Sequence, residues 1–242
     1  MLDLITITGA DDSIKPEELG ILSKSYPHTE WGLLLSSSQM GTSRFPSLQW
    51  LRRLVPVAIE HDLQLSAHLC GKWVREVCAG DWNWLQLFEK AGINPKVFNR
   101  VQLNFHTYTH LLTGGFIEQA KTAAQGYDFQ TIFQCDGVND HLVSSAHDDG
   151  LDAVPLYDRS GGAGVLPDKW PGSMTGIYSG YAGGLGPDNL EAELLRIAEA
   201  ARGRHWVDME TKVRSDDDAL FDLDKVVTCL DICSRFMRWV EV

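Results

Sequence analysis

Short apolar segments alternate with longer amphipathic segments along the chain. The short segments are rich in β-branched, leucine and aromatic residues, a composition typical of buried strands. They predict strands at Leu4–Thr8, Trp31–Leu35, Leu63–Leu69, Val101–Phe105, Thr131–Cys135, Ala153–Tyr157, Gly176–Ser179 and His205–Met209. Between them, helical spacing of apolar residues predicts helices over Lys15–Lys24, Leu48–His61, Trp82–Ala91, Gly115–Gln125, Asn189–Ala201 and Leu220–Val240. Asp136–Val143 has only a weak helical pattern.

This order of elements predicts an α/β fold. Strands that alternate with helices form a parallel sheet, and right-handed crossovers close eight such units into a (β/α)8 barrel, the TIM barrel. An open doubly wound sheet is the main alternative. Its dinucleotide-binding form is disfavoured, because the first strand is followed by Thr8-Gly9-Ala10-Asp11-Asp12 and not by G-x-G-x-x-G. No linker or repeat is visible, so residues 1–242 are interpreted as a single domain.

Composition narrows the range of partners. The chain has 242 residues, of which 44% are hydrophobic, a net charge of −12 and a pI near 5.0. Such a surface repels nucleic-acid backbones, although the local field of a cleft can still attract a small phosphorylated substrate. No apolar run reaches ~18 residues and the N-terminus lacks a signal-peptide pattern, so no membrane segment is expected. The five cysteines fit reduced thiols in the cytoplasm. No cofactor is expected, and the oligomeric state is left open.

Residues that follow the strands of a (β/α)8 barrel meet in one pocket at its C-terminal rim. Polar side chains at these positions are therefore the candidate site residues. They are Thr8, Asp11, Asp12, Arg44, His68, Cys70, Asn104, His106, Gln134, Asp136, Asp158, Arg159, Glu210, Thr211 and Lys212.

Two glycine-rich segments, Ser160–Gly164 and Ala182–Gly186, follow the last strands before the C-terminal one. Glycine admits positive φ and lets backbone N–H groups approach an anion closely. Loops in this part of the barrel commonly bind phosphate. Gly161, Gly162, Gly183 and Gly184 are thus predicted to bind an anionic group, and simple turn formation is the alternative.

The single polar candidates each have two interpretations. Asp158 can act as a general acid if burial raises its pKa, or it can bond its own turn backbone. Arg44 can bind a carboxylate or phosphate, or it can be a solvated surface residue. His68, His106 and Asp136 have side chains that suit a metal, but they form no tight ligand motif, and a polar pocket lining is favoured.

Several motifs occur in an order that points to one family. They are Ile7-Thr8-Gly9, Trp31-Gly32-Leu33-Leu34 followed by Ser43-Arg44, Val101-Gln102-Leu103, Tyr157-Asp158 through Gly164 with Asp168-Lys169-Trp170, Ala182-Gly183-Gly184-Leu185 with Asn189, and Val207-Asp208 with Phe221-Asp222. Through these segments the chain resembles phosphoribosylanthranilate isomerase, a phosphate-binding (β/α)8 barrel. The last three motifs, taken in order, are the most specific.

The resemblance implies an Amadori rearrangement of a phosphorylated sugar amine. In that family an acid protonates the ribose ring oxygen, and a base then removes the proton from C2. Asp158 occupies the acid position, and Arg44 matches the arginine that meets the anthranilate carboxylate. Gly183 and Gly184 match the phosphate-binding turn.

Two departures change what the resemblance implies. Thr8 stands where the family has its cysteine base, and a hydroxyl has no useful basicity near neutral pH. Lys212 replaces a glycine of the last loop. We therefore expect a diverged isomerase for a different anionic substrate, with Asp158, Thr8 and Asp11 as catalytic candidates. The replacement base is left open among Asp11, Cys70 and His106.

The remaining candidates, Asn104, Thr211 and Lys212 among them, are expected to contact the substrate. Two other functions stay open at this stage. One is a metal-dependent lyase or epimerase acting on a sugar phosphate, and the other is a non-catalytic barrel that binds a ligand.

Overall fold

Eight parallel strands form a closed barrel in which each strand pairs with its sequence neighbours and the last pairs with the first. The computed structural model describes residues 1–104, 114–174 and 176–237. The strands are β1 (Leu2–Thr8), β2 (Thr29–Leu35), β3 (Gln64–Leu69), β4 (Arg100–Leu103), β5 (Gln130–Cys135), β6 (Ala153–Tyr157), β7 (Ser179–Ala182) and β8 (His205–Met209). The closed order confirms the (β/α)8 barrel and rules out the open sheet.

Helices surround the barrel. They are α1 (Pro16–Ser25), α2 (Leu48–His61), α3 (Lys72–Cys78), α4 (Asn83–Lys90), α5 (Phe116–Tyr127), α6 (His141–Asp148), α7 (Leu190–Ala201) and α8 (Leu223–Ser234), with single 3-10 turns at Pro95–Val97 and Thr211–Val213. Across the described part of the chain, no helix has both the length and the apolar character needed to cross a membrane.

The alternation of side chains along each strand builds two separate layers. Ile5 and Ile7 of β1 belong to the large core between the sheet and the helices, where both are almost fully buried. Thr6 and Thr8 alternate with them along the strand and point to the barrel interior, because successive strand residues face opposite sides. The same period of two recurs along β2, where Trp31 joins the outer core. The outer layer holds the helices on the barrel.

The barrel interior is more polar than the branched aliphatic filling usual for this fold. Glu30 and Arg100 form a buried ion pair, with Nε–Oε2 and Nη2–Oε1 distances of 2.6 Å and 2.5 Å. Thr6 donates to Glu30 Oε1 at 2.8 Å, and the guanidinium of Arg100 lies 4.4 Å from the ring centroid of Trp206. An inner apolar cluster contains Ile132, Val154, Leu156, Ala182 and Trp206. A charged layer therefore lies inside the barrel.

The structure corrects three sequence predictions of secondary structure. The seventh strand was expected at Gly176–Ser179 but is Ser179–Ala182, because the small Gly180 is needed beside Trp206: a Cβ there would lie 2.2 Å from the indole. The weak helix expected at Asp136–Val143 begins later, as α6. Helix α3 was not predicted, since its seven residues are too few to establish a helical period.

Candidate functional site

A cavity opens at the C-terminal end of the barrel, among the ends of β4 to β8. Its lining residues come from five strands and the loops that follow them. They are Gln102, Asn104, Gln134, Leu156, Asp158, Gly162, Gly164, Ala182, Gly183, Gly184, Leu185, Asp208, Glu210, Thr211 and Lys212. The structure thus brings together nine of the predicted site residues, namely Asn104, Gln134, Asp158, Gly162, Gly183, Gly184, Glu210, Thr211 and Lys212.

The two glycine-rich loops touch each other at the cavity rim. Gly183 and Gly184 have φ values of 120° and 68°, in the region that disfavours side chains. A Cβ on Gly184 would lie 2.8 Å from the backbone nitrogen of Leu166 and 2.9 Å from the carbonyl oxygen of Gly164. On Gly183 it would lie 2.9 Å from the carbonyl oxygen of Val165. Backbone therefore packs on backbone here.

Two backbone donors lie at this junction. Within the described residues, the N–H groups of Gly183 and Gly184 donate to no protein acceptor. The turn is held instead by Asn189, whose Oδ1 accepts from Gly186 N at 2.9 Å and whose Nδ2 donates to Gly184 O at 2.9 Å. Lys212 lies against Gly186 and adds a positive charge to the rim. The turn is preorganised and leaves donors available to an anion.

Asp158 at the end of β6 lines the cavity and also closes its own turn. Its Oδ2 accepts from Gln134 Nε2 at 2.8 Å and from Gly162 N at 2.6 Å. Its Oδ1 accepts from Ser160 N at 3.1 Å and from Ser160 Oγ at 2.7 Å. The turn-closing interpretation of this residue is therefore confirmed, the acid role stays a prediction, and four donors occupy the lone pairs of the carboxyl group.

Asp208 at the end of β8 is a second carboxyl group in the cavity. It is 7% exposed, and Thr8 Oγ1 donates to its Oδ1 at 2.7 Å. The pKa of Asp208 is raised to about 8, chiefly because the group is buried, with smaller contributions from Glu210 and Glu30 that the Thr8 hydrogen bond and Arg100 oppose. At neutral pH this side chain holds a transferable proton. The sequence contained the signal, the Val-Asp pair at the end of the last strand, but gave the aspartate no role.

Thr8 itself is buried and does not line the cavity. Its hydroxyl donates its proton to Asp208, so it holds the neighbouring carboxyl group in place. The geometry gives it a positioning role in place of the direct catalytic role expected from its position in the chain.

Arg44 is occupied by carboxylates of the chain itself. Its Nη1 lies 2.6 Å from Glu210 Oε1, and its Nε lies 2.8 Å from Asp218 Oδ2. The expectation that it meets a substrate carboxylate disagrees with this geometry, because two of its donor positions are already in use. Burial raises the pKa of Glu210, and Arg44 opposes that effect.

Asp11 is also a structural residue here, which corrects its place among the catalytic candidates. Its Oδ2 accepts from Arg214 Nη2 at 2.8 Å and from Arg44 N at 2.7 Å, and its Oδ1 accepts from Ser13 N at 2.9 Å. These bonds join the loops after β1, β2 and β8. Its carboxylate does not line the cavity.

Other predicted residues lie away from the cavity lining. His68 is buried in β3, where desolvation lowers the pKa of its imidazole to about 3. Asp136 Oδ1 accepts from Val138 N at 2.8 Å and closes a turn, and Gly161 lies beside the lining glycines. His106 lies outside the described residues. Over those residues, no group of three or more His, Cys, Asp or Glu side chains is arranged to hold a metal ion.

Cys70 had been one of three candidates for the missing base. Burial raises the pKa of its thiol to about 12, so the thiol stays protonated at neutral pH. Asn104 Nδ2 donates to its sulfur at 3.3 Å. This environment contradicts a role as the base.

Comparisons by sequence find no relatives: no family profile and no curated protein matches the chain. Comparisons by structure, in contrast, find similar proteins. A phosphoribosylanthranilate isomerase from Thermus thermophilus has a TM-score of 0.60 and 17% identity, covering 97% of this chain and 100% of that one. Monomers of the phosphoribosylanthranilate isomerase from Thermotoga maritima have a TM-score of 0.57 and 15% identity, covering 97% and 99%. Thiamine phosphate pyrophosphorylase from Pyrococcus furiosus has a TM-score of 0.53 and 14% identity, covering 98% and 97%.

These similarities bear out the expectation of a barrel like that of the phosphoribosylanthranilate isomerases. At such low identity they establish the fold and no more. The fold hosts many unrelated functions, so the function of this chain has to be argued from its site.

Proposed function

We propose that this chain is an isomerase that moves a proton between C2 and C1 of a phosphorylated sugar or sugar amine. One observation supports this most strongly. A single cavity combines a rim of free backbone N–H groups with two buried carboxyl groups, Asp158 and Asp208. The rim suits a phosphate, and the carboxyl groups suit the proton transfers of an aldose–ketose interconversion.

The phosphate would bind where the two glycine loops meet. Gly183 and Gly184 offer backbone donors, and Thr211 adds a hydroxyl from the first turn after β8. Lys212 supplies a local positive charge at the rim, although the chain as a whole is negatively charged. This arrangement would fix one end of the substrate and direct its sugar carbons toward the carboxyl groups.

Asp208 is the better candidate for the proton donor. It holds a proton at neutral pH, and only its Oδ1 accepts a hydrogen bond from a described residue. Its proton would pass to the ring oxygen as the C1–O bond breaks. As the ring opens, the lone pair of the C1 nitrogen forms a protonated imine, or the C1 hydroxyl loses its proton to water and forms an aldehyde. The resulting Asp208 carboxylate would then remove the proton from C2, leaving an enolamine or an enediol. Return of this proton to C1, with loss of the O2 hydroxyl proton to water, gives the ketose and a carboxylate that regains its proton from water.

Asp158 would serve as the second carboxyl group. Because four donors already surround it, we assign it to orienting the substrate hydroxyls as well as to the acid role that the resemblance implies. Thr8 would position Asp208 without touching the substrate. The function of the family's cysteine would thus move to the neighbouring strand.

The test is proton exchange in ²H2O. Pure protein is incubated with aldose 5-phosphates and with their N-glycosylamines, and deuterium at C1 or C2 is followed by NMR. We expect exchange with a phosphorylated compound and none with its unphosphorylated counterpart. Asp208→Asn and Asp158→Asn should abolish exchange, whereas Asp148→Asn, an exposed carboxylate on α6, should not.

Two outcomes would contradict the proposal. Exchange that is unchanged in both cavity variants would remove these carboxyl groups from the chemistry. Binding of phosphorylated sugars without any exchange would instead identify the chain as a ligand-binding barrel.

A further inference from the structure

The arginine at the mouth of the barrel is held by an ion-pair network of five side chains. Arg44 bonds Glu210 and Asp218, while Arg214 bonds Asp218 at 2.6 Å and Asp11 at 2.8 Å. Arg214 is fully buried in its side chain. Two arginines face three carboxylates, so the positive charge of Arg44 is already neutralised from within the chain.

This network joins several loops and holds their backbone in place. Its members come from the loops after β1, β2 and β8, so opening it would separate three segments. Arg44 and Asp218 both have positive φ, 68° and 59°, a conformation that costs energy in residues other than glycine. Such backbone persists only where surrounding contacts hold it. Arg44 N also donates to Asp11 Oδ2 at 2.7 Å, which fixes the loop on the network.

Glu210 is the member of this network that also lines the cavity. A ligand carboxylate approaching Arg44 from the cavity would meet a carboxylate of like charge. It would also find that Nη1 and Nε already donate to carboxylates of the chain, so each of the two guanidinium edges that bind a carboxylate in the bidentate way has one donor atom engaged. Like-charge juxtaposition of this kind is unfavourable and so acts against such ligands.

We propose that Glu210 prevents substrate carboxylates from binding Arg44. The site then selects phosphorylated sugar derivatives in which the group farthest from the phosphate is uncharged or amino and not acidic. Glu210 is then a specificity-determining residue. The inference rests on the proposed function, because it assumes that the phosphate of the ligand binds at the glycine loops.

The experiment compares two inert ligands that differ in one group. The first is 1-anilino-1-deoxypentitol 5-phosphate, and the second is the same compound with a carboxylate ortho to the amine. Neither can isomerise, so calorimetry measures binding alone. We expect the wild-type protein to bind the uncharged compound at least about tenfold more tightly, a difference of about 1.4 kcal/mol.

Glu210→Gln is the informative variant, because it removes the charge and keeps the shape. It should remove the repulsion between the two carboxylates and tighten binding of the carboxylate compound by about tenfold or more, while the affinity for the uncharged compound changes by less than about threefold. Glu60→Gln removes one exposed carboxylate from α2, far from the network, and serves as the charge-matched control. It should leave both affinities unchanged.

The outcomes separate the two proposals. If the wild-type protein binds both ligands equally, Glu210 does not select against carboxylates and this inference is overturned, while the proposed function stands. The same holds if Glu210→Gln binds the carboxylate compound no better than the wild type does. If neither ligand nor ribose 5-phosphate binds to any variant, the phosphate site is absent, and the proposed function is refuted together with the inference. The wild-type comparison needs no variant and remains decisive if Glu210→Gln fails to fold.

Discussion

Replacing Asp208 by asparagine keeps a buried side chain of the same size but removes the group that binds and releases a proton. Asparagine has the same shape as the protonated acid, and its amide oxygen can still accept the hydrogen bond from Thr8 Oγ1. It cannot ionise. We therefore expect Asp208→Asn to lose the proposed exchange activity and, at the same time, to change how the stability of the protein depends on pH.

The size of the effect follows from the pKa of Asp208. Burial raises the pKa from an ordinary value of 3.8 to about 8. The unfolded chain therefore loses this proton near pH 4, while the folded chain keeps it until about pH 8. Between these values the unfolded state binds fewer protons, so the free energy of unfolding of the wild type falls as pH rises, by about 1.4 kcal/mol per pH unit. Over the whole window the loss amounts to roughly 4–6 kcal/mol.

Urea denaturation at pH 5, 6, 7 and 8 measures this directly. The free energy of unfolding of Asp208→Asn minus that of the wild type should grow by about 1.4 kcal/mol per unit, because every other titration cancels in the difference. Asp148→Asn provides the control, since this exposed carboxylate on α6 should give a flat difference. If the Asp208→Asn difference is also flat from pH 5 to 8, the carboxyl group is ionised in the folded protein, and the argument for a proton donor fails.

Three further predictions concern the barrel interior and the rim. Arg100→Met should lower the free energy of unfolding by about 3–5 kcal/mol, because the buried Glu30 loses its oppositely charged partner, and adding Glu30→Leu should restore most of it in the same urea assay; a double variant no better than the single would contradict this. Gly184→Ala should weaken binding of inorganic phosphate in calorimetry, since its Cβ would meet backbone at 2.8 Å, whereas Gly126→Ala has open space and should have no effect. Thr8→Val removes the hydrogen bond that lowers the pKa of Asp208, so the basic limb of the pH–rate profile should move to higher pH, and an unmoved limb would exclude the positioning role.

Local sequence patterns predicted most of the fold, because the information was local. The alternation of Ile5 and Ile7 with Thr6 and Thr8 distinguishes the helix-facing side of a strand from its interior side. The rule that loops after barrel strands converge then placed Asp158 and the glycine loops at one cavity without any knowledge of contacts. The bounds of strand β7 were not predicted correctly. Its Gly180 leaves room for Trp206 of β8, a contact that no periodicity within β7 indicates.

The partners of the charged side chains could not be predicted in the same way. Arg44 and Glu210 are separated by 166 positions, and Asp11 and Arg214 by 203. The residues next to each arginine in the sequence do not indicate whether its charge is available to a ligand or is paired with a carboxylate of the chain. The family resemblance therefore assigned Arg44 to a substrate carboxylate, and the position of Asp11 after the first strand placed it among the catalytic candidates.

The replacement of the family's cysteine by Thr8 becomes intelligible once the two neighbouring strands are considered together. Strands β1 and β8 pair in parallel with Thr6 opposite Asp208, so Thr8 lies one interior position further along and its hydroxyl reaches the carboxyl group. A hydroxyl is a poor base but a good hydrogen-bond donor. Glu30 and Arg100 form an ion pair in the same barrel interior, and their charges shift the pKa of Asp208 in opposite directions. Burial therefore remains the largest influence on the pKa of Asp208. The pair Thr8–Asp208 can therefore supply a proton at neutral pH although neither residue could do so in water.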